Sequence, residues 1–398
     1  PCQVEKLLGN GGQGEVYQAD LNGVKVALKW YHPHYIPLDF GLQERLEAAI
    51  ESGAPNDKFL WPTEIVFTPD LEGFGYVMPL RDPQYKGLVE MMAGRIEPTF
   101  RALTTAGFQL ADSFHELHSK GLCYRDISFG NVFLNPDNGD VLICDNDNVD
   151  IDGQGTGAVA GTPSFMAPEI VRGEAQPSTK TDLFSLAVLL FYIFVFHHPL
   201  EGKKEADIRC LDAPAKKKLY GTEPIFIYDP NDDSNRPVSG YQNNAIELWQ
   251  IYPQFLQKLF TKTFTSGLHN PNERTQEPEW RQAMIRLRDS IVYCPNCGAE
   301  NFYDLEFTKA SGGKSKPCRK CQANIQLPPR IRIGKNVVML NHDATLFPHH
   351  IDGQKPFDFS QIIACVNQNP ANPNIWGLKN LSDRKWNCTT ADGNVKEV

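Results

Sequence analysis

One short polar stretch, followed at a fixed distance by a carboxylate, constrains this chain more than any other feature. Residues 124–131 read Tyr-Arg-Asp-Ile-Ser-Phe-Gly-Asn, and Asp145 follows Asn131 by fourteen residues, directly after the apolar run at 141–144. In such a pattern Asp126 can accept a hydroxyl proton, while Asn131 and Asp145 can hold magnesium ions against a nucleotide triphosphate. An Arg-Asp pair alone would indicate a surface ion pair, but the spacing and the apolar run favour phosphoryl-transfer chemistry.

A glycine-rich pattern near the start of the sequence points to the same chemistry. Residues 9–14 read Gly-Asn-Gly-Gly-Gln-Gly, Val16 follows, and two alternating runs at 15–19 and 24–29 flank Leu-Asn-Gly. Asn-Gly between two such runs predicts a tight β-hairpin. Dinucleotide-binding folds use the same glycine spacing but continue into a helix. Because a strand follows here, we expect a glycine loop whose backbone amides close over phosphates.

Together these motifs resemble the eukaryotic-type (Hanks-type) Ser/Thr protein kinase family, whose catalytic loop reads H-R-D-x-x-x-x-N and is followed by D-F-G. Tyr124 stands in place of the His, Asn146 and Asp147 replace the Phe and Gly, and Ser128 stands where Lys is usual. Residues 161–169 match the family's closing A-P-E signature. The resemblance covers residues 4–290. It implies an α+β, bilobal protein-kinase fold. It also implies an enzyme that uses ATP and Mg²⁺ to phosphorylate a protein substrate.

The resemblance also implies a role for each polar residue of these motifs. Asp126 is the expected catalytic base, Asn131 and Asp145 are the expected Mg²⁺ ligands, and Lys29 would contact the α- and β-phosphates. By the resemblance, Pro79 lies where the chain enters the hinge between the two lobes, and its carbonyl can still accept a hydrogen bond from the adenine amino group, with the Arg81 amide as the donor. The nucleotide-binding positions implied are Gly9, Asn10, Gly11, Gly12, Gln13, Gly14, Val16, Ala27, Lys29, Met78, Pro79 and Arg81.

A predicted helix at 38–52 should supply the glutamate that pairs with Lys29. Glu47 is the expected partner because it lies nearer the apolar stripe of that helix, and Glu44 is the alternative. In the activation segment, Thr156 is the candidate phosphorylation site. The resemblance further implies that Asp182, which opens the apolar helix at 183–196, holds the backbone of the catalytic loop.

Four of the ten cysteines form two C-x-x-C pairs after the kinase-like region: Cys294 with Cys297, and Cys318 with Cys321. Twenty residues separate the inner cysteines. Two such turns can place four thiolates around one tetrahedral metal, so we expect a structural Zn²⁺ in a zinc ribbon. A redox function would need only one pair.

From residue 325 the sequence consists of short β-type runs separated by Asn-, Pro- and Gly-rich turns. This pattern predicts a small all-β domain. The predicted domains are therefore 1–80 and 81–290 for the two kinase lobes, 291–324 for the ribbon, and 325–398 for the β domain. This domain order resembles the kinase-like proteins of bacterial tellurium-resistance-type operons. These are encoded beside a phosphatase and a von Willebrand A protein, which the resemblance implies as partners.

Composition bounds the remaining function classes. A net charge of −9 and a pI near 5.6 argue against sequence-independent binding of nucleic acid. The most apolar run, at 183–196, is too short for a bilayer span of about 20 residues, and no signal pattern precedes the kinase-like region, so we expect a cytoplasmic protein without a membrane partner. A second hypothesis is a nucleotide-binding pseudokinase scaffold, because Asn146 and Asp147 replace Phe-Gly and two modules are appended.

Overall fold

The computed structural model describes residues 2–153, 161–389 and 392–397. The chain divides into two compact units, one of residues 1–250 and 257–281, the other of residues 251–256 and 282–398. Thr156, the expected phosphorylation site, lies outside the described residues. The predicted division into four domains stays a prediction.

Five antiparallel strands open the first unit: β1 (Cys2–Asn10), β2 (Gly14–Leu21), β3 (Val24–Tyr31), β4 (Glu64–Val66) and β5 (Gly75–Pro79). They form one sheet in the order β1-β2-β3-β5-β4. Asn22 and Gly23 connect β2 to β3 with φ angles of 54° and 89°, so the predicted tight hairpin is confirmed. Helix α1 (Leu42–Ser52) buries Leu42 and Leu46 in a core that it shares with the sheet.

Helices dominate the chain from residue 88 to residue 289. They are α2 (Leu88–Met92), α3 (Phe100–Ser119), α4 (Pro168–Arg172), α5 (Thr179–Val195), α6 (Lys203–Ala206), α7 (Ala213–Lys217), α8 (Asn243–Trp249), α9 (Gln254–Phe264), α10 (Ser266–His269) and α11 (Glu277–Asp289). Helix α5 is apolar on all sides and almost wholly buried, as expected of a core helix. Among the described helices, none is long and apolar enough to cross a membrane.

Short strands between these helices carry the loops of the predicted site: β6 (Lys86–Gly87), β7 (Leu122–Cys123), β8 (Val132–Leu134), β9 (Val141–Ile143) and β10 (Asp150–Ile151). Strands β6, β8 and β9 form one sheet, and β7 pairs with β10. The stretch at 124–131 therefore lies between β7 and β8, and Asp145 lies just beyond β9. Pairing of β8 with β9 holds the two segments side by side.

The second unit contains β11 (Ile291–Tyr293), β12 (Glu300–Phe302), α12 (Leu305–Ala310), β13 (Arg330–Ile333), β14 (Asn336–Met339), β15 (Thr345–Leu346), α13 (Pro348–Ile351), β16 (Ala364–Asn369), β17 (Asn372–Asn380), β18 (Asn387–Thr389) and β19 (Val395–Glu397). Strands β15, β16 and β17 form one sheet, and the others form two-stranded pairs. The expectation of a purely β segment after residue 325 needs correction, because α13 adds a short helix there.

One hydrophobic cluster joins the cysteine region to the following hairpin. Val292, Tyr303, Ile325 and Met339 are buried together with Cys294 and Cys318. Because the cysteine region alone offers few apolar side chains, it depends on β14 for part of its core.

Candidate active site

The carboxylate of Asp126 is held in one orientation by three donors. Nδ2 of Asn131 lies 3.2 Å from Oδ2, while the backbone N and Oγ1 of Thr162 donate to Oδ1 at 2.9 and 3.0 Å. Sequence reasoning assigned no role to Thr162. The available signal was Gly-Thr-Pro at 161–163, three residues before the A-P-E triplet at 167–169. Fixing the carboxylate leaves its orientation set before any substrate hydroxyl arrives.

The backbone of the catalytic loop is anchored from the buried core, as expected. Asp182 on α5 accepts from the backbone N–H groups of Tyr124 and Arg125, the latter at 3.1 Å. Arg125 itself has a φ of 74°, a left-handed conformation that a non-glycine residue adopts only where its surroundings enforce it. The expected structural role of Asp182 is confirmed.

Asn131 and Asp145, the predicted Mg²⁺ ligands, lie on adjacent segments. The backbone N–H of Cys144 donates to the carbonyl of Asn131 at 3.0 Å, and Asp145 follows in a left-handed conformation with a φ of 53°. Burial and the negative charges of Asp147 and Asp126 raise the pKa of Asp145, although Lys29 opposes this. Carboxylate and amide oxygens that concentrate negative charge are suitable ligands for Mg²⁺.

Lys29 pairs with Asp147 in this structure rather than with the expected Glu47. The Lys29 side chain is buried, and its Nζ lies 2.8 Å from Oδ2 of Asp147 and 3.9 Å from Oδ1 of Asp145. Glu47 is exposed and accepts instead from Gln43 at 2.9 Å. The physical reason is that α1 turns both Glu47 and the alternative, Glu44, toward the surface, whereas Asp147 lies in a buried turn.

Two tyrosines complete the surroundings of Asp147. The hydroxyl of Tyr31 lies 2.6 Å from Oδ2, and the hydroxyl of Tyr76 lies 3.0 Å from Oδ1. Burial alone would raise the pKa of Asp147, but the charge of Lys29 and these hydrogen bonds lower it. Sequence reasoning noted Asp147 only as a missing glycine and did not find this role.

The glycine loop approaches the same lysine. Oε1 of Gln13 accepts from Lys29 Nζ at 2.6 Å, and its Nε2 donates to Asn148 at 3.2 Å. A Cβ added to Gly14 would lie 2.2 Å from the carbonyl oxygen of Trp30, so this position requires glycine. The loop therefore lies directly over Lys29, where the sequence predicted phosphate binding.

The predicted adenine-contacting residues lie on the strands next to Lys29. Ala27 on β3 is opposite Met78 on β5, and both are buried in one apolar cluster against which Val16 packs. Pro79 ends β5 and is exposed. The guanidinium of Arg81 stacks on a neighbouring phenyl ring at 4.1 Å. Apolar side chains thus adjoin the charged groups around Lys29.

Comparison with known proteins gives the class of this domain. Residues 88–264 match the family model described as protein kinase domain. The DNA damage-responsive serine/threonine-protein kinase RqkA of Deinococcus radiodurans is 28% identical over 209 residues, which are 51% of this chain and 31% of that protein. The serine/threonine-protein kinase pkn2 of Myxococcus xanthus is 29% identical over 215 residues, which are 50% of this chain and 25% of that protein.

Residues 88–264 therefore form a protein kinase domain. Protein kinase C-like 1 of Saccharomyces cerevisiae is 26% identical over 203 residues, which are 48% of this chain and 16% of that protein. The chain thus spans less than a third of the length of each of these three relatives. Protein kinase domains transfer phosphate from ATP with Mg²⁺ to protein substrates. In this kinase domain, Asp126, Asn131 and Asp145 lie inside the matched residues, whereas Lys29 precedes them.

A second arrangement of chemistry-bearing residues lies in the other compact unit. Sγ atoms of Cys294 and Cys321 are 3.6 Å apart, as are those of Cys297 and Cys318, and all four sulfurs lie within 4.8 Å of one another. Four thiolates around one tetrahedral Zn²⁺ would be separated by about 3.8 Å, given Zn–S distances of about 2.3 Å. Disulfide sulfurs would be about 2 Å apart, so these spacings fit a metal site.

The two cysteine pairs sit on matching turns. The amide of Gly298 donates to the carbonyl of Cys294, and the amide of Gln322 donates to the carbonyl of Cys318, each at 2.9 Å. Gly298 and Gln322 both have positive φ angles, of 71° and 59°. The backbone N–H of Lys320 also points at Cys318 Sγ, at 3.4 Å. Such N–H groups stabilise sulfur in the thiolate form that binds metal.

His349 and His350 form a closed hydrogen-bonded cluster with Asp289. The backbone N–H of Phe347 donates to Nδ1 of His350 at 2.9 Å, which places the His350 proton on Nε2, facing Asp289 at 3.2 Å. Nδ1 of His349 contacts the carbonyl of Asp358 at 3.1 Å. With its Nε2 protonated, His350 is a hydrogen-bond donor in this arrangement and offers no lone pair to a metal there.

Proposed function

We propose that this chain is an ATP- and Mg²⁺-dependent protein kinase that transfers the γ-phosphoryl group to Ser or Thr of a protein partner, including its own chain. The observation that carries the proposal is the fixed carboxylate of Asp126 beside the Asn131–Asp145 pair. A degenerate kinase domain would be expected to have lost at least one of these groups. Here Asn131 donates to the carboxylate of Asp126, and the carbonyl of Asn131 accepts from the backbone N–H of Cys144, the residue before Asp145.

In this mechanism Asp126 accepts the proton of the substrate hydroxyl while the hydroxyl oxygen attacks the γ-phosphorus in line with the leaving oxygen. Thr162 donates to one carboxylate oxygen, Oδ1, and the other oxygen faces Asn131. General-base assistance of this kind requires a carboxylate that is oriented beforehand, because its contribution depends on hydrogen-bond reach to the acceptor.

Asn131 and Asp145 would hold Mg²⁺, which neutralises charge on the β- and γ-phosphates when bound. Lys29 would contact the α- and β-phosphates, and the amides of residues 9–14 would close over them. Val16, Ala27 and Met78 would contact the adenine ring, with the carbonyl of Pro79 and the amide of Arg81 as its hydrogen-bonding groups. These assignments are supported by the apolar cluster beside Lys29 and by the position of Gln13 on its Nζ.

The test is phosphate incorporation from γ-labelled ATP in wild type and in Asp126→Asn. We expect a loss of about a hundredfold or more, the scale associated with removal of a general base. Asp137→Asn is the matched control, because it makes the same change at an exposed position of the same lobe. Retained stabilisation by ADP shows that the variant still folds and binds nucleotide. Equal incorporation in wild type and Asp126→Asn would exclude the assigned base.

The competing hypothesis is a nucleotide-binding scaffold without turnover. It is favoured by Asn146-Asp147 in place of Phe-Gly and by the two modules that follow the kinase-like region. A scaffold would be stabilised by ATP but would incorporate no phosphate. Phosphate detected by mass spectrometry on Thr156 or on a partner, and lost in Asp145→Ala, would reject the scaffold hypothesis.

For the second unit we propose a zinc ribbon, with one Zn²⁺ held by Cys294, Cys297, Cys318 and Cys321, followed by a β-rich interaction module. The sulfur spacings support the metal. A phosphatase and a von Willebrand A protein are the proposed partners, on the resemblance of domain order to kinase-like proteins of tellurium-resistance-type operons. A cytoplasmic location stays a prediction from the sequence.

A further inference from the structure

Lys29 forms its ion pair with a residue of the turn that follows Asp145, and not with a glutamate of α1. The carboxylate that faces Lys29 Nζ at 2.8 Å belongs to Asp147, two residues after Asp145. We infer that Asp147 is the positioning residue that aims Lys29 at the nucleotide phosphates, in place of a glutamate from α1. This inference rests on the proposed kinase function.

Burial requires Lys29 to have a carboxylate partner. A lysine ammonium that is 3% exposed needs a compensating charge, since an isolated buried charge is strongly unfavourable. Asp145 lies at 3.9 Å and would have to give its oxygens to Mg²⁺. Asp147 is 5% exposed, contacts the lysine directly and is not assigned to the metal. It can therefore remain paired with Lys29 while Asp145 binds metal.

The tyrosines on neighbouring strands fix the position of this carboxylate. Lys29 and Tyr31 are two residues apart on β3, so their side chains point to the same face of the sheet. Tyr76 on β5 is directly opposite Lys29 in the register. Both hydroxyls donate to Asp147, one to each oxygen. The sheet that carries the lysine thus also holds its counter-charge.

The turn of Asp147 is tied down on its other side. Nδ2 of Asn146 donates to the carbonyls of Leu60 and Ile143, at 2.8 and 3.1 Å. The substitutions that depart from the family pattern at 146 and 147 therefore have linked roles, since one anchors the turn and the other faces Lys29. In this arrangement a single turn, Asn146–Asn148 with Asp145 before it, positions both the metal ligand and the lysine.

The experiment measures turnover and ADP affinity in Asp147→Asn, which preserves side-chain volume and removes the charge. We expect kcat to fall about tenfold or more and ADP affinity to fall about threefold or more. The reason is that displacement of Lys29 weakens its contacts with the phosphates more in the transition state than in the ground state. Glu47→Gln tests the helix glutamate and should change both values less than twofold. Asp57→Asn, at an exposed carboxylate, controls for the chemical change itself.

A double-mutant cycle separates positioning from a general structural effect. In a Lys29→Met background, Asp147→Asn should change turnover and ADP affinity less than twofold, because its effect acts through the lysine. A full further loss in that background, an unchanged Asp147→Asn single variant, or a tenfold loss in Glu47→Gln would each overturn the inference. If wild type binds ADP but transfers no phosphate, the kinase proposal fails, and the ADP arm alone decides the role of Asp147.

A second variant covers the possibility that Asp147→Asn does not fold. Tyr31→Phe combined with Tyr76→Phe removes both donors to Asp147 and keeps the rings in the core. We expect an intermediate loss, about threefold or more in kcat, that also disappears in the Lys29→Met background. Wild-type turnover in this folded double variant, together with an Asp147→Asn that cannot be purified, would reject the positioning role.

Discussion

The guanidinium of Arg125, beside the catalytic base, is tied to the carboxylate of Asp150: Nη1 donates to Oδ2 at 2.8 Å. The two side chains are 1% and 9% exposed. Arg45 of α1, which pairs with Asp39 at 2.7 Å, lies 3.9 Å from the same carboxylate. Asp150 thus links the catalytic loop to helix α1. It also supplies negative charge to Arg125, the residue whose counterpart in kinases engages a phosphorylated activation segment.

Asp150→Ala should destabilise the kinase domain by about 3 kcal/mol, because removal of one partner leaves a buried arginine charge without compensation. Unfolding in urea, followed by intrinsic fluorescence, measures the change. Glu223→Ala is the control, since its ion pair with Lys218 is largely exposed and should contribute less than about 1 kcal/mol. Equal losses in the two variants would contradict the assigned role.

His118 should make stability depend on pH at neutral to alkaline values. Burial alone would lower its pKa, but Asp182 and Glu277 raise the pKa of His118 from 6.5 to about 9. The charged imidazole therefore stabilises the fold fully below pH 6.5, and this contribution is lost as pH rises through 9. The free-energy difference between wild type and His118→Gln should be no more than about 3 kcal/mol and should shrink across that window. A free-energy difference that is constant from pH 6 to pH 9.5 would contradict the assigned contribution of the charged His118.

Thr162→Val should lower kcat about tenfold without changing ADP affinity by more than twofold. The substitution removes the hydroxyl donor to Oδ1 of Asp126 and keeps the side-chain shape, so only the orientation of the base is affected. Thr162→Ser retains the hydroxyl and is the matched control, expected to keep at least half of the activity. Steady-state phosphate transfer at saturating ATP gives kcat. Parallel losses in the Val and Ser variants would point to packing instead.

Wild type should contain about one Zn²⁺ per chain by elemental analysis, and Cys297→Ser much less. Because coordination supplies on the order of 10 kcal/mol to folding of such a module, we expect residues 293–324 to lose order in the variant while nucleotide binding persists. Acidification should release the metal, since its ligands are thiolates. Cys210→Ser, at an exposed cysteine outside the cluster, is the control. Metal-free wild type, or two disulfides among the four cysteines, would refute the site.

Local patterns in the sequence were sufficient for much of the fold. The Asn22-Gly23 turn, the apolar stripe of α1 and the buried helix at residues 179–195 are each decided by residues close in the chain. The two cysteine turns have the same property, because each C-x-x-C places its thiolates within one turn.

Tertiary structure alone decided which carboxylate faces Lys29. The sequence determined that a lysine lies on the second strand of the hairpin and that acidic residues occur on α1 and after Asp145. Asp147, the partner of Lys29, is 118 residues away in the chain. Which carboxylate reaches the buried lysine depends on how α1 is rotated about its axis and on where the turn at 146–148 is anchored. Because α1 turns its glutamates to the surface and the turn brings Asp147 within hydrogen-bond distance of two tyrosines, the counter-charge of Lys29 is the carboxylate of Asp147 rather than that of Glu47.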